Sequence, residues 1–289
     1  MSVFELLSAF NIFLSITASL GNALILVALH KENSLHPPTK LLFRCLAVTD
    51  LCVGVISQPL FAIFLLSSAT IGINWKFLFY IDQLCNASSF VLCQVSVFTS
   101  SAINVDRLLA LLSGLRYRQV VTLPRVRTVI ICFWSIAISS GSVYFWNDSI
   151  AFTVAFLLTT FSLTTSFFSY AKIFRKLRQH QSQVHSVQQG QPIGRKVTLN
   201  IERYKKSVSS VLWVQLSLIT CYTPFIVVVT LMTYRGVPGN KLSEIAFCFP
   251  ATLTFLNSSL NPLLYCWRIR SVRQAAKATI KQVNCCKSA

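Results

Sequence analysis

The stretch TKLLFRCLAVTDLCVGVISQPLFAIFLL, residues 39–66, is a long apolar run with one carboxylate, Asp50, about a dozen residues from its start. The hydrocarbon core of a bilayer is about 30 Å thick, and an α-helix needs roughly 20 apolar residues to cross it. The run is therefore long enough for one crossing. A carboxylate at mid-membrane is costly and must find partners or water, so Asp50 is a candidate functional residue.

Six further apolar runs, bounded by polar or basic clusters, accompany this one. The seven predicted spans, named first to seventh in chain order, cover residues 4–29, 39–66, 77–112, 126–146, 150–174, 207–232 and 242–267. Only 12% of the 289 residues are charged, against roughly 25% in an ordinary soluble domain. We therefore expect an all-α bundle of seven transmembrane helices within residues 1–267, and no cytosolic enzyme.

The basic residues predict which side of the membrane each loop occupies. Of the 26 Lys and Arg residues, 23 fall in the first, third and fifth connections, at the span ends beside them, and in the C-terminal tail. The N-terminus is therefore expected outside and the C-terminus in the cytoplasm, in the plasma membrane. The net charge of +18 suits anionic membrane lipids and acidic partner surfaces. Nucleic acid is not an expected partner, because no basic soluble domain is present to bind it.

Polar side chains in other predicted spans are within possible reach of Asp50. They are Asn22 in the first span, Ser96 in the third, and Asn257, Ser258 and Asn261 in the seventh. One carboxylate surrounded by hydroxyl and amide oxygens suits a small hard cation such as Na⁺, or a proton. Hydrogen bonding that merely holds the helices together is the alternative interpretation. The residues alone do not choose between the two.

Two further features lie near the predicted inner ends of the spans. Asp106 and Arg107 end the third span as an adjacent acid and base, a pair that also serves as a simple topology anchor at membrane edges. Pro224 and Pro262 interrupt the sixth and seventh spans and predict kinks, which suit helices that move against one another. Residues 179–196 predict a flexible inner loop.

The tail and two sequons predict covalent modification. Residues 268–289 place apolar side chains along one helical face with basic residues beside them, which predicts a short amphipathic eighth helix on the inner leaflet. Cys285 and Cys286 follow it and are candidates for palmitoylation, with idle thiols as the alternative. Asn86 and Asn147 lie in glycosylation sequons near the outer side.

Together these features resemble those of a rhodopsin-like (class A) G-protein-coupled receptor over essentially the whole chain. The matching motifs, in order and each in its own span, are Gly21-Asn22, Leu46-Ala47-Val48-Thr49-Asp50, Asp106-Arg107-Leu108, Trp134, Cys221-Tyr222-Thr223-Pro224 and Asn261-Pro262-Leu263-Leu264-Tyr265. The resemblance implies a sodium pocket at Asp50, Ser96, Asn257, Ser258 and Asn261. It also implies a coupling and activation set for a heterotrimeric G protein, namely Asp106, Arg107, Tyr170, Tyr222, Pro224, Pro262 and Tyr265.

The chain departs from the family pattern at Leu108, where the family has Tyr, at Tyr222, where it has Trp, and at its outer side. The third-span position of the usual disulfide is Asp82, and no cysteine lies between the fourth and fifth spans. With the short fourth connection, this resembles the melanocortin receptors, and adenosine and amine receptors more distantly. In melanocortin receptors an acid at the position of Asp82 helps to hold basic peptide and calcium. Here Asn86 and Leu60 replace the supporting acids, so we expect at most charge attraction to a cation, or a solvent-facing acid.

The ligand pocket is expected around Asp82, Asn86 and Ser89. The known monoamine receptors have an acid at the position of Ser89, so the resemblance argues against a classical monoamine and leaves a peptide or small molecule. A seven-helix channel or transporter is the alternative function, although such proteins usually need several charges along the membrane pathway. No metal-ligand or nucleophile-base spacing indicates an enzyme, and sodium is the one small ion expected as a modulator.

Overall fold

The computed structural model describes residues 2–32, 35–70, 74–188, 213, 216–232, 241–268 and 273–274. Within these ranges the chain is helical and contains no β-strand. The α-helices are α1 (Val3–Lys31), α2 (Pro37–Cys52), α3 (Gln58–Ala69), α4 (Trp75–Ser113), α5 (Tyr117–Val120), α6 (Leu123–Val143), α7 (Asp148–Gln188), α8 (Leu216–Met232) and α9 (Lys241–Arg268).

Each of the seven predicted spans coincides with helix in the described ranges. The first span is α1, the second is α2 with α3, and the third to seventh are α4, α6, α7, α8 and α9. The first five are long and apolar enough to cross a bilayer, and α8 is a shorter apolar helix. The short α5 lies between the third and fourth spans. The end of the bundle with Arg107 is named the inner end, and the end with Asp82 the outer end.

Local sequence explains where several helices begin and end. Ser2 and Glu5 form a capping box at the start of α1, where the Ser2 hydroxyl accepts from the Glu5 backbone N–H and the Glu5 carboxylate accepts from that of Ser2. Asn74 caps α4 by accepting from the backbone of Lys76. At the other end of α4, Gly114 adopts a φ of 48°, a conformation that glycine takes without steric cost.

The second span is not a uniform α-helix. Residues Val53–Ser57 form a π-helical turn between α2 and α3, just before Pro59. Proline has no N–H to donate to the preceding turn, and a single π-helical turn is a common way for a helix to absorb such a break. This turn brings Gly54 against α1, where the Gly54 carbonyl accepts a 2.6 Å hydrogen bond from the Ser15 hydroxyl.

The bundle exposes apolar side chains and buries polar ones among its apolar core. Phe161 is 71% exposed and Leu20 is 69% exposed, whereas Asn22 and Asp50 are fully buried. Lipid solvates the outer apolar side chains, so the polar ones must satisfy one another within the bundle. The third span, α4, packs against α2, α3, α6 and α7, and its buried polar side chains include Ser96, Asn104 and Asp106.

The fifth span extends further than predicted. Residues 179–196 were expected as a flexible loop, but α7 continues as helix to Gln188, so the expectation is wrong for its first ten residues. The segment after Phe174 is rich in Arg, Lys and Gln and has no Gly or Pro before Gly190. These residues have high helix propensity, and the helix continues into them.

Replacement of Gly54 by valine tests the close packing of the first and second spans. A Cβ atom at Gly54 would lie 3.0 Å from the backbone nitrogen of Ser19 and 2.8 Å from its hydroxyl, and a backbone atom cannot rotate away. We expect Gly54→Val to lose about 1–3 kcal/mol, the usual cost of overpacking, seen as a lower melting temperature in detergent. Val55→Leu is the control, because Val55 is 58% exposed. Equal stability of the two variants would contradict this packing.

Candidate functional site

Asp50 lies at the centre of a polar cluster that joins three spans. Its Oδ1 atom accepts hydrogen bonds from the hydroxyls of Ser96 (3.0 Å) and Ser258 (2.8 Å). Its Oδ2 atom accepts from the side-chain amide of Asn261 at 2.7 Å. The second, third and seventh spans are thus tied together at one buried carboxylate, and three of the residues predicted around it do contact it.

The two remaining asparagines of the predicted set behave differently. Asn22 donates to the backbone carbonyls of Ala18 (2.9 Å) and Ser258 (3.0 Å), not to Asp50. It therefore joins the first span to the seventh beside the cluster. Asn257 is buried, and its side-chain amide has no hydrogen-bond partner among the described residues.

Amide oxygens around the cluster are left without donors. The Oδ1 atoms of Asn22, Asn257 and Asn261 are buried and have no partner in the described part of the chain. Leaving a buried acceptor unpaired costs about 1–3 kcal/mol, so these oxygens favour the binding of a cation. A carboxylate with hydroxyl and amide oxygens is a donor set that fits a hard cation.

A second network closes the inner end around Asp106. Arg107 forms an ion pair with Asp106 and also donates to the Thr39 hydroxyl at 2.9 Å. The Asp106 carboxylate accepts from Thr39 (3.0 Å) and from the Tyr117 hydroxyl (2.7 Å). Asp106 is 3% exposed and Arg107 is 23% exposed, so the pair is sheltered by the second span and by α5. This set of four residues is named the inner clamp.

Thr39 and Tyr117 were not among the predicted site residues. Tyr117 lies in α5, between the third and fourth spans, where the sequence offered only a basic loop. Burial raises the pKa of the Tyr117 hydroxyl above its usual value, so the group stays protonated and donates to Asp106.

A cavity opens within the outer half of the bundle. Asn86 and Ser89 line it as predicted, but Asp82 is not among its lining residues. Its other walls come from the second, third, fifth, sixth and seventh spans and include Gln94, Thr159 and several phenylalanines. These were missed because no motif identifies which face of an apolar helix turns toward the bundle axis.

Asp82 is instead occupied by neighbouring donors. Its Oδ1 atom accepts from the Asn86 side chain at 2.9 Å, and its Oδ2 atom accepts from the Tyr144 hydroxyl at 3.5 Å. Tyr144 follows the last residue of α6, so the contact joins the outer ends of the third and fourth spans. Asp82 therefore holds neighbouring helices together at the outer end, where the family pattern would have a disulfide.

The predicted activation residues lie in the expected helices. Tyr222 is buried in α8 two residues before Pro224, lines the cavity, and packs in one apolar cluster with Val97 and Cys93 of the third span. Pro262 lies inside α9 opposite Gly21, where a Cβ atom would meet its ring at 3.0 Å. Tyr170 is half-buried in α7 and contacts Phe174. Tyr265 lies in α9.

The predicted modification sites differ in their surroundings. Asn147 is exposed between α6 and α7, and its side-chain oxygen accepts from the backbone of Ile150. Asn86 lies within α4, where its side chain contacts Asp82 and the cavity. Cys285 and Cys286 lie outside the described residues, as does the predicted eighth helix apart from two helical residues, 273–274.

Comparison with known proteins identifies the family. A model of the 7 transmembrane receptor (rhodopsin family) matches residues 21–146 and 139–265. The chain is 26% identical to melanocortin receptor 5 of Rattus norvegicus, covering 94% of this chain and 82% of that protein. It is 25% identical to melanocortin receptor 4 of Danio rerio, covering 98% and 85% of the two chains. It is 27% identical to the histamine H2 receptor of Cavia porcellus, covering 98% of this chain and 80% of that protein.

These matches span all seven helices and include the predicted likeness to melanocortin receptors. They also confirm the prediction that the chain is not an enzyme, since the matched proteins are receptors. The chain belongs to the rhodopsin family of seven-transmembrane receptors and is a G-protein-coupled receptor.

Proposed function

We propose that this receptor converts occupation of the outer cavity into opening of the inner clamp, where a heterotrimeric G protein binds. One observation carries the proposal, namely that α4 contributes to all three parts of the route. It lines the cavity at Ser89, contacts Asp50 through Ser96 and holds the inner clamp at Arg107. At 1.5 Å per residue, Ser89 and Arg107 lie about 27 Å apart along one helix.

The side chains suggest how the two ends communicate. Tyr222 faces the cavity two residues before Pro224, so a ligand that displaces Tyr222 acts on a helix already weakened by the missing hydrogen bond at proline. Movement of the seventh span requires the bonds from Ser258 and Asn261 to Asp50 to rearrange. At the inner end, Arg107 leaves Asp106 and Thr39, and its guanidinium becomes available to the G protein.

The Asp50 cluster is proposed to hold a sodium ion in the closed receptor. Asp50, Ser96, Asn257, Ser258 and Asn261 supply the oxygen donors, and the unpaired amide oxygens of Asn257 and Asn261 support this assignment. A bound cation would supply positive charge that compensates the buried carboxylate. The protein side chains then need not donate all their hydrogen bonds to Asp50, and the second, third and seventh spans remain closed around the site.

The receptor is proposed to lie in the plasma membrane with its N-terminus outside. The distribution of basic residues supports this orientation, because positively charged loops stay in the cytoplasm, where the inner surface also meets anionic lipids. Asn147 is the better supported glycan acceptor, since it is exposed between two helices at the outer end. Cys285 and Cys286 are proposed to carry palmitoyl chains. No contact with nucleic acid is proposed.

The relatives' names mention melanocortin and histamine as their ligands. Ser89 supports a ligand other than a classical monoamine for this chain, because a neutral hydroxyl stands where the known amine receptors have an acid.

The test is a screen of cells that express the receptor with sensors for each class of G protein. Peptide, nucleoside, lipid and amine libraries supply the ligands, with Arg107→Ala at matched surface expression as the control. Responses that persist in the Arg107→Ala receptor would contradict the proposed coupling.

Sodium is expected to lower ligand-independent activity through Asp50. Binding to the closed state alone stabilises that state by about 1.4 kcal/mol when sodium is in tenfold excess over its Kd. Basal nucleotide exchange on a G protein should therefore fall roughly tenfold when Na⁺ replaces K⁺ at constant ionic strength. Asp50→Asn should remove the difference between the two salts. The same response to sodium in Asp50→Asn and wild type would contradict the assignment.

Loss of the Tyr117 hydroxyl is expected to raise basal activity. Tyr117→Phe removes one hydrogen bond to Asp106, worth about 1 kcal/mol, or roughly a fivefold change in the ratio of open to closed receptor. Basal nucleotide exchange should rise by about this factor, and it should be lost when Arg107→Ala is added. Tyr80→Phe is the matched control, because Tyr80 is 70% exposed and lies far from the inner clamp. A Tyr117→Phe receptor no more active than this control would show that the bond does not hold the receptor closed.

A further inference from the structure

The outer cavity has an unusually uniform chemistry. Seven phenylalanine side chains line it, and no charged residue is among the lining residues in the described ranges. The rings contact one another, as between Phe225 and Phe247 (centroids 5.6 Å apart) and between Phe61 and Phe255 (5.4 Å). A charged ligand group would lose its hydration here without gaining a counter-ion. The walls therefore favour an uncharged molecule.

Two polar groups that line this aromatic cavity lack a partner among the described residues, the Ser89 hydroxyl and the Nε2 group of Gln94. Gln94 is 4% exposed, and its Oε1 atom accepts a 3.3 Å hydrogen bond from the Thr159 hydroxyl. Its Nε2 group is buried, lines the same cavity and has no acceptor among the described residues. Leaving this donor unpaired costs about as much as the hydrogen bond it could make. The Gln94 donor thus lacks an acceptor, and an acceptor on a ligand would satisfy it.

We infer that the cavity binds an uncharged, predominantly aromatic or apolar molecule carrying a hydrogen-bond acceptor, such as a carbonyl oxygen, that accepts from Gln94 Nε2. This inference rests on the proposed function in that the outer cavity is taken as the ligand site. The bound molecule would also contact Tyr222, which lines the same cavity.

A cationic ligand is the alternative. A second cavity above the first, named the vestibule, contains two carboxylates that would attract it. Asp148 and Glu244 line this vestibule, which shares Phe152 and Phe247 with the cavity. Both acids are exposed, so solvent and salt screen their attraction. Phenylalanine is also a weaker cation-π partner than tryptophan, and the unpaired amide of Gln94 repels a cation. The deep cavity therefore favours the neutral class.

The test measures the binding of three probes to the purified receptor. Each probe has two phenyl rings on one carbon. Benzophenone is neutral and carries a single carbonyl acceptor, diphenylmethane lacks the acceptor, and benzhydryltrimethylammonium carries a permanent positive charge. Binding is measured as the ligand-induced rise in melting temperature, and the benzophenone site is mapped by photolabelling and peptide mass spectrometry. We expect benzophenone to bind most tightly and its label to fall on spans that line the cavity.

Gln94→Leu isolates the hydrogen bond. Benzophenone should bind this variant about tenfold more weakly, the upper range for one neutral hydrogen bond, while diphenylmethane should bind both receptors equally. The difference between the two probes removes any general effect of the substitution on the fold. An equal loss for both probes, or none for benzophenone, would overturn the role of Gln94.

Three further variants locate the site and its chemistry. Ala155→Trp should fill the cavity and abolish the label, whereas Phe161→Ala, on a side chain that is 71% exposed, should not change it. Unchanged labelling in Ala155→Trp, when its melting curve shows a folded receptor, would overturn the inference. Tighter binding of the ammonium probe than of benzophenone would also overturn it, particularly if that binding is lost when Asp148→Asn and Glu244→Gln are combined. Because binding is measured without a G protein, failure of the proposed coupling would leave these results interpretable.

Discussion

The burial of one carboxylate inside the membrane is the constraint on which the bundle depends. Asp50 is fully buried, so donors from the third and seventh spans converge on it. Ser96, Ser258 and Asn261 supply them at 2.7 to 3.0 Å, and Asn22 fixes the first span to the seventh beside them. The relative rotation of four spans is thereby set at one level of the membrane, while apolar side chains face the lipid.

The third span transmits that constraint to both ends of the receptor. Its inner end holds Asp106 and Arg107 within a clamp completed by Thr39 and Tyr117. Its outer half presents Gln94 to an aromatic cavity. A rotation or shift of this one helix would disturb the cavity, the Asp50 cluster and the inner clamp together, which is the mechanical requirement for a receptor that couples two distant sites.

Where the chain departs from its family pattern, other side-chain contacts take the places of the missing parts. Asp82 occupies the usual cysteine position and contacts Tyr144 at the end of the fourth span, so a polar contact joins helices where the family has a covalent bond. Tyr222 replaces the usual tryptophan of the sixth span and still contacts both the cavity and the third span. The likeness to both melanocortin and histamine receptors does not fix the ligand, because the cavity carries its own chemistry.

The sequence by itself determined the seven spans, the family and the residues able to contact Asp50. Hydropathy is a local property, and a helix in lipid satisfies its own backbone, so each span could be predicted without its neighbours. The sequence did not show that α7 continues to Gln188 or that Asp82 lies off the cavity wall. Only the tertiary structure placed Tyr117 beside Asp106 and Thr159 beside Gln94. These pairs depend on how each helix is rotated and how deep it lies in the bundle. Side-chain contacts between spans decide both, and the pattern of residues along one span does not predict them.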